Sequence, residues 1–146
     1  MIIEYYGDLL QSRRQTLTCT TNCEGAMGAG LALAFKQQHP ASFEAYRALH
    51  RQGALQIDRL HVAPLGTGQQ VLYFPTKDRW RDPSQLGWLE NNLATLARDY
   101  RLLGIESLAI PPLGAGLGGL EYQAVHRLVY RHLKDHPLLV EFYVPY

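Results

Sequence analysis

Seven of the thirteen glycines crowd into two short windows, Gly25, Gly28 and Gly30, then Gly114, Gly116, Gly118 and Gly119. Glycine admits positive φ and lets a ligand approach the backbone, so successive N–H groups are free to meet an anion, usually a phosphate. The formal charge is only +1, so two such loops suit a diphosphate held by amide dipoles and a helix N-terminus. Trp80, between Arg79 and Arg81, suits stacking on an unpaired base with phosphates nearby as well as it suits packing in the core. Lys77, read alone, is a solvated surface lysine. Asp8 and Asn22, read alone, are turn residues, and Met27 is a core filler.

Several other chemistries fail on spacing. Neither glycine cluster runs into Gly-Lys-Ser/Thr, which excludes a P-loop nucleoside triphosphatase. Gly114 to Gly119 does satisfy G-x-G-x-x-G, with Glu141 placed 22 residues after Gly119 as a ribose-binding acid. A dinucleotide-binding unit opens a six-stranded domain, however, and here a single strand follows the motif. Cys19 and Cys23 are the only two cysteines, which implies free thiols and no zinc site. His132 and His136 fall at a helix end that Pro137 terminates, so no metal is expected. Near-neutral charge argues against a polybasic nucleic-acid binder, and the absence of any apolar run near 18 residues argues against a membrane segment. A soluble cytoplasmic protein is expected.

The elements that must position these residues alternate. Met1 to Tyr6 and Thr16 to Thr21 read as strands, and Ala29 to Gln38 and Ser42 to Arg51 as helices. Leu60 to Leu65 and Gln69 to Phe74 form a strand pair around Gly66-Thr67-Gly68. After Pro83, the apolar residues Leu86, Leu89, Leu93, Leu96, Tyr100 and Leu103 mark one face of a helix, with Ser84 as its N-cap and Gly104 at its close. Ser107 to Ile110 is a strand, Leu120 to Lys134 a helix with Val125, Leu128, Val129 and Leu133 inward, and Leu138 to Val144 a last strand. The order predicts a three-layer α/β/α sandwich with a central mixed sheet, one domain over residues 1–146. Both glycine clusters then fall at strand-to-helix turns, on the sheet edge where open α/β folds bind ligands.

Three blocks together resemble the macrodomain fold, an ADP-ribose-binding module, and within it the DarG branch that removes ADP-ribose from DNA bases. They are Gly7-Asp8-Leu9-Leu10 with Thr20-Thr21-Asn22 and the run Gly25 to Lys36; then Phe74-Pro75-Thr76-Lys77 with Trp80-Arg81; then Ala109 to Gly116 followed by Gly118-Gly119-Leu120. The likeness extends from near residue 7 to near residue 125. The Met-Gly-x-Gly loop with Phe-Pro-Thr-Lys separates this branch from commoner macrodomains.

The resemblance implies ADP-ribose as ligand, with no cofactor. Asp8 would accept a hydrogen bond from the adenine amino group, and Asn22 would meet the distal ribose. Leu9, Gly25, Met27, Gly28, Gly30, Thr76 and Pro112, with Gly114, Ala115, Gly116, Leu117, Gly118 and Gly119, would enclose the ligand. Lys77 would be catalytic, with Asn22, at the ribose anomeric carbon. A neutral amine can attack that carbon or trap the opened sugar as a Schiff base once its pKa is lowered, and Arg79 and Arg81 are placed to supply the field. Trp80, Arg79 and Arg81 are the candidate DNA contacts. The implied activity is cleavage of the N-glycosidic bond between ADP-ribose and a base in single-stranded DNA, opposing a DarT-like toxin. The alternatives are an ADP-ribose reader and a hydrolase of O-acyl-ADP-ribose or protein ADP-ribose esters. Two departures weigh on turnover: Cys19 replaces the first Asn of the Asn-x-x-Asn pair of many macrodomains, and Gly118-Gly119 stands where a related glycohydrolase branch has an Asp, leaving Glu121 as the nearest acid.

Overall fold

The computed structural model describes residues 1–144. The chain runs β1 (Ile2–Tyr5), β2 (Thr16–Thr21), α1 (Gly30–Gln38), α2 (Pro40–Arg51), β3 (His61–Pro64), β4 (Gln70–Pro75), α3 (Leu86–Asp99), β5 (Ser107–Ile110), α4 (Tyr122–Leu133) and β6 (Leu139–Tyr143). The strands make one six-stranded sheet in the order β1-β6-β5-β2-β4-β3, parallel except for the antiparallel β3–β4 pair.

Helices cover both faces, which is why β4 reads as a continuous apolar run rather than an alternating one. Its successive side chains point to opposite sides. Val71 and Tyr73 join Leu17, Cys19, Met27, Phe35 and Tyr46 in the core under α1 and α2. Leu72 and Phe74 join Leu89, Leu93, Ile110, Val125, Val129 and Phe142 under α3 and α4. All four inward residues foreseen for α4 are buried.

The sheet opens where the site lies. β2 pairs with β4 along its whole length, from Thr16 with Gln70 to Thr21 with Pro75. With β5 it pairs only at Thr16–Leu108 and Leu17–Ala109. Beyond those residues the two strands part. β2 continues into α1 and α2 on one face, while β5 continues into α4 on the other, so a crevice forms at their C-terminal ends, the place where open α/β sheets take ligands.

Some expected details differ. Ser84 does not cap α3; Gln85 stands at that position with no side-chain cap. Ser84 is buried and its amide donates to the Gly118 carbonyl at 2.9 Å, so its place is fixed by the second glycine loop. Leu86 is 40% exposed, outside the apolar face. The α3 helix ends at Asp99, and Tyr100 to Gly104 continue as turns. The second helix begins at Pro40 rather than Ser42, because proline at a first helical position lacks only an N–H that would go unused. Leu9–Gln11 forms a short 3-10 turn that the sequence pattern did not reveal. Glu141, the acid of the dinucleotide reading, is consumed in a buried cluster: it pairs with Arg14 at 3.0 Å and accepts from Ser12 at 2.7 Å and Tyr143 at 3.1 Å.

Candidate functional site

The crevice between β2 and β5 holds a cavity of about 580 Å³. Its walls include Asn22, Gly28, Gly30, Thr76, Lys77 and Trp80, and across from them Pro112, Gly114, Gly116, Leu117 and Gly118. Thr20, Thr21, Ala26, Ala29, Leu31, Ala32 and Pro111 complete the lining; the sequence blocks quoted above contain them, but none was named as a site residue. Ala29 carried a readable signal: it is the N-cap of α1 and has no side chain able to cap. The first intrahelical bond runs from the Leu33 amide to the Ala29 carbonyl at 3.2 Å. The amides of Gly30, Leu31 and Ala32, all cavity-lining, are therefore left for an anion at the positive end of the helix.

Asn22 organises the first loop. Its Oδ1 accepts from the Glu24 amide at 2.9 Å and the Ala26 amide at 3.3 Å, its Nδ2 donates to the Ala26 carbonyl at 3.0 Å, and the Tyr46 hydroxyl shares its one hydrogen between the Asn22 carbonyl and Oδ1. Burial pushes the Tyr46 phenol up, which keeps it a donor. One Nδ2 hydrogen is left unused by these bonds.

The second loop is tied by its own backbone. The amides of Ala115, Gly119 and Leu120 donate to the carbonyls of Pro112, Gly116 and Gly114. Those of Gly116, Leu117 and Gly118 have no such bond among the described residues. A Cβ on Gly118 would lie 2.3 Å from the Gly114 carbonyl oxygen and 2.4 Å from Ser84 Oγ, so only glycine fits. Leu117, 69% exposed, reaches the opposite wall: its Cδ1 would be 3.1 Å from a Cβ on Gly30. The two loops thus nearly touch over the cavity.

Lys77 follows β4, beside Asn22, because the amides of Thr76 and Lys77 both donate to the Thr21 carbonyl, at 3.0 and 3.3 Å. Its Nζ donates to the Trp80 carbonyl at 3.1 Å. Two hydrogen bonds join this segment to the first loop: Cys23 amide to Asp78 carbonyl at 3.1 Å, and Trp80 amide to Glu24 Oε1 at 2.8 Å. The thiols offer no rival nucleophile. Burial first, and the neighbouring Asp78 second, push Cys23 up to about 12, and burial raises fully enclosed Cys19 as well, so both stay protonated at neutral pH.

Trp80 is 54% exposed, which rules out the core-packing reading, and the Arg81 guanidinium lies 5.3 Å from its ring centre. The remaining candidates are spread behind or beside the cavity and are absent from its lining. Leu9 and Met27 are buried in the core, Ala115 packs against the core under α3 and α4, and Gly25 abuts the His50 ring. Gly119 follows the lining part of the second loop, and exposed Arg79 and Arg81 flank Trp80. Asp8 caps the 3-10 turn, accepting from the Leu10 amide at 3.0 Å; a carboxylate so engaged keeps acceptor capacity for a ligand. Glu121 is the N-cap residue of α4, outside the lining. No group of three or more His, Cys, Asp or Glu suited to a metal occurs among the described residues, and none of their helices is long and apolar enough to cross a membrane.

Residues 19–129 match the Macro domain family. A protein of Mycobacterium tuberculosis named DNA ADP-ribosyl glycohydrolase is 40% identical over 130 residues, covering 87% of this chain and 37% of that protein. The solved macrodomain of Mycobacterium tuberculosis DarG superposes with a TM-score of 0.92 at 38% identity, covering 100% of this chain and 99% of that one. Thermosipho africanus DarTG, solved in complex with ADP-ribose, gives a TM-score of 0.92 at 34% identity over 99% of this chain and 41% of its own. The chain spans a little over a third of the length of the curated relatives it matches.

Proposed function

The chain belongs to the Macro domain family, and from that premise we propose that it is a DNA ADP-ribosyl glycohydrolase, cleaving the N-glycosidic bond between ADP-ribose and a base of single-stranded DNA. The observation that carries this reading is Lys77 in the same cavity as two sets of amides placed for a diphosphate. The diphosphate lies between the α1 N-terminus and the second loop, the adenine reaches Asp8, and the distal ribose meets the free Nδ2 hydrogen of Asn22. ADP-ribose in the Thermosipho africanus structure supports that occupant.

The chemistry then balances with this chain's own groups. The lone pair of Lys77 Nζ attacks the anomeric carbon; the bond from carbon to base nitrogen breaks, and that nitrogen takes the electron pair and the proton that the newly bonded Nζ gives up. Water opens the lysine adduct and returns the amine and free ADP-ribose. In this reading residues 1–146 form one domain that holds the site, and the reaction opposes a DarT-like ADP-ribosyl transferase; the Thermosipho africanus relative named as a transferase–glycohydrolase fusion supports that pairing.

A second reading, a module that holds ADP-ribose without turning it over, is favoured by one observation: among the described residues the cavity lining contains no carboxylate. The two separate cleanly. Incubated with an ADP-ribosylated oligonucleotide, the protein is expected to release ADP-ribose, and Lys77→Ala to release it about a hundredfold more slowly or worse. Equal release by both proteins overturns the lysine mechanism. Tight calorimetric binding of ADP-ribose with no turnover of DNA, protein or O-acyl substrates selects the reader.

A further inference from the structure

Trp80 is held in an unusual way. Its amide is fixed by the Glu24 carboxylate at 2.8 Å and its carbonyl by Lys77 Nζ at 3.1 Å, while 54% of the residue stays open to solvent. A short turn, closed by the Asp82 amide on the Arg79 carbonyl at 3.1 Å, carries it. The backbone is therefore immobilised on both sides of the residue, and a large apolar ring is withheld from a core that buries Tyr46, Tyr73, Phe35, Phe74 and Phe142. Trp80 also belongs to the wall of the cavity that holds Lys77. Arg81 lies against its ring and Arg79 precedes it, two exposed cations beside a cavity whose only charged lining residue among those described is Lys77.

We infer that Trp80 is a stacking platform for an unpaired base beside the ADP-ribosylated nucleotide, with Arg79 and Arg81 meeting the flanking phosphates. The inference rests on the proposed glycohydrolase reading and extends it from the ADP-ribose tag to the strand that carries the tag. A base bonded to the anomeric carbon at Lys77 has its strand neighbours within reach of residue 80, because Lys77 Nζ touches the carbonyl of that residue. Stacking on an aromatic face accepts any base, so the platform selects single-stranded DNA rather than a sequence. A duplex keeps its bases stacked on each other and offers no free face.

The test compares Trp80→Ala and Trp80→Tyr with the unaltered protein on two substrates, an ADP-ribosylated single-stranded decanucleotide and the same ADP-ribosylated base as a mononucleoside. Trp80→Ala is expected to lower the ratio of kcat/KM for the decanucleotide over the mononucleoside about tenfold, mostly through KM, and Trp80→Tyr to restore most of it. With Trp88, the second tryptophan, changed to Phe, binding of the modified decanucleotide should quench the Trp80 emission. An equal loss on both substrates overturns the inference, since Trp80 would then act only through Lys77 or the ADP-ribose pocket. So does an equal loss on an ADP-ribosylated peptide, which would point to a protein substrate. If the unaltered protein cleaves neither DNA substrate, the glycohydrolase reading fails alone. Affinities for the modified decanucleotide and for free ADP-ribose then decide the stacking: weakening of the first relative to the second by Trp80→Ala supports it, and parallel weakening overturns it.

Discussion

At the scale of single residues, the two glycine loops are not equally intolerant, and the difference comes from what surrounds each α-carbon. A methyl on Gly118 would collide with backbone, at 2.3 Å from the Gly114 oxygen, which cannot yield without moving the loop. Gly30 has φ of +56°, strained for any other residue, but its near neighbour is only the mobile end of Leu117. Gly28 has nothing within 4 Å of its would-be Cβ. Urea unfolding should therefore rank the alanine variants: Gly118→Ala loses about 2–3 kcal/mol by overpacking, Gly30→Ala about 1–2 kcal/mol, and Gly28→Ala less than about 0.5 kcal/mol. Calorimetry should show the largest drop in ADP-ribose affinity at Gly118. The sequence exposed these glycines but not Ser84, whose hydroxyl sits under the loop, because a serine before a helix signals a cap and nothing in the order of residues tells cap from wedge. Trp80 was equally ambiguous: between two arginines, core and surface readings weigh the same until the chain is folded.

At the scale of elements, the strands and helices were legible because each carried a strong local pattern: the β-branched run of β2, the 3-4 spacing of α3, the apolar face of α4. What lay beyond sequence was the pairing of β2 with β5 over only two residue pairs, which opens the cavity. Separation of strands is a product of where two crossovers go, not of any one segment. The helix behind β4 adds a constraint of its own. Asn92 of α3 is fully buried, and its Nδ2 donates to the carbonyl of Ile57 at 2.9 Å and of Pro75 at 3.1 Å. Pro75 precedes Lys77 by two residues, so α3 anchors the strand end from which the lysine projects. Asn92→Leu, close in size, strips both carbonyls of their donor and should destabilise by about 2–4 kcal/mol in chemical denaturation. It should also lower kcat more than it lowers ADP-ribose affinity, since the second loop and the α1 N-terminus are untouched.

At the scale of the whole molecule, the charge of +1 stops being an objection to a DNA substrate once the tag is gripped by amides. If Arg79 and Arg81 are the two cations that meet strand phosphates, as inferred above, then at about 0.7 per phosphate the log–log salt dependence of oligonucleotide affinity should have a slope of about −1.4 or shallower. Fluorescence titrations between low and physiological salt would read it, and a slope several-fold steeper would mean a much wider basic footprint. The sheet order also has a consequence in time. β1 pairs with β6, Ile2 beside Val140, so within this domain the earliest strand waits for one made more than a hundred residues later. β2, β4 and β5, which frame the cavity, are complete once residue 110 has been made. Pairings across such sequence distances form slowly, so during synthesis the strands that frame the pocket are available before the sheet's outer edge, which β1 and β6 close together late in the folding of this domain.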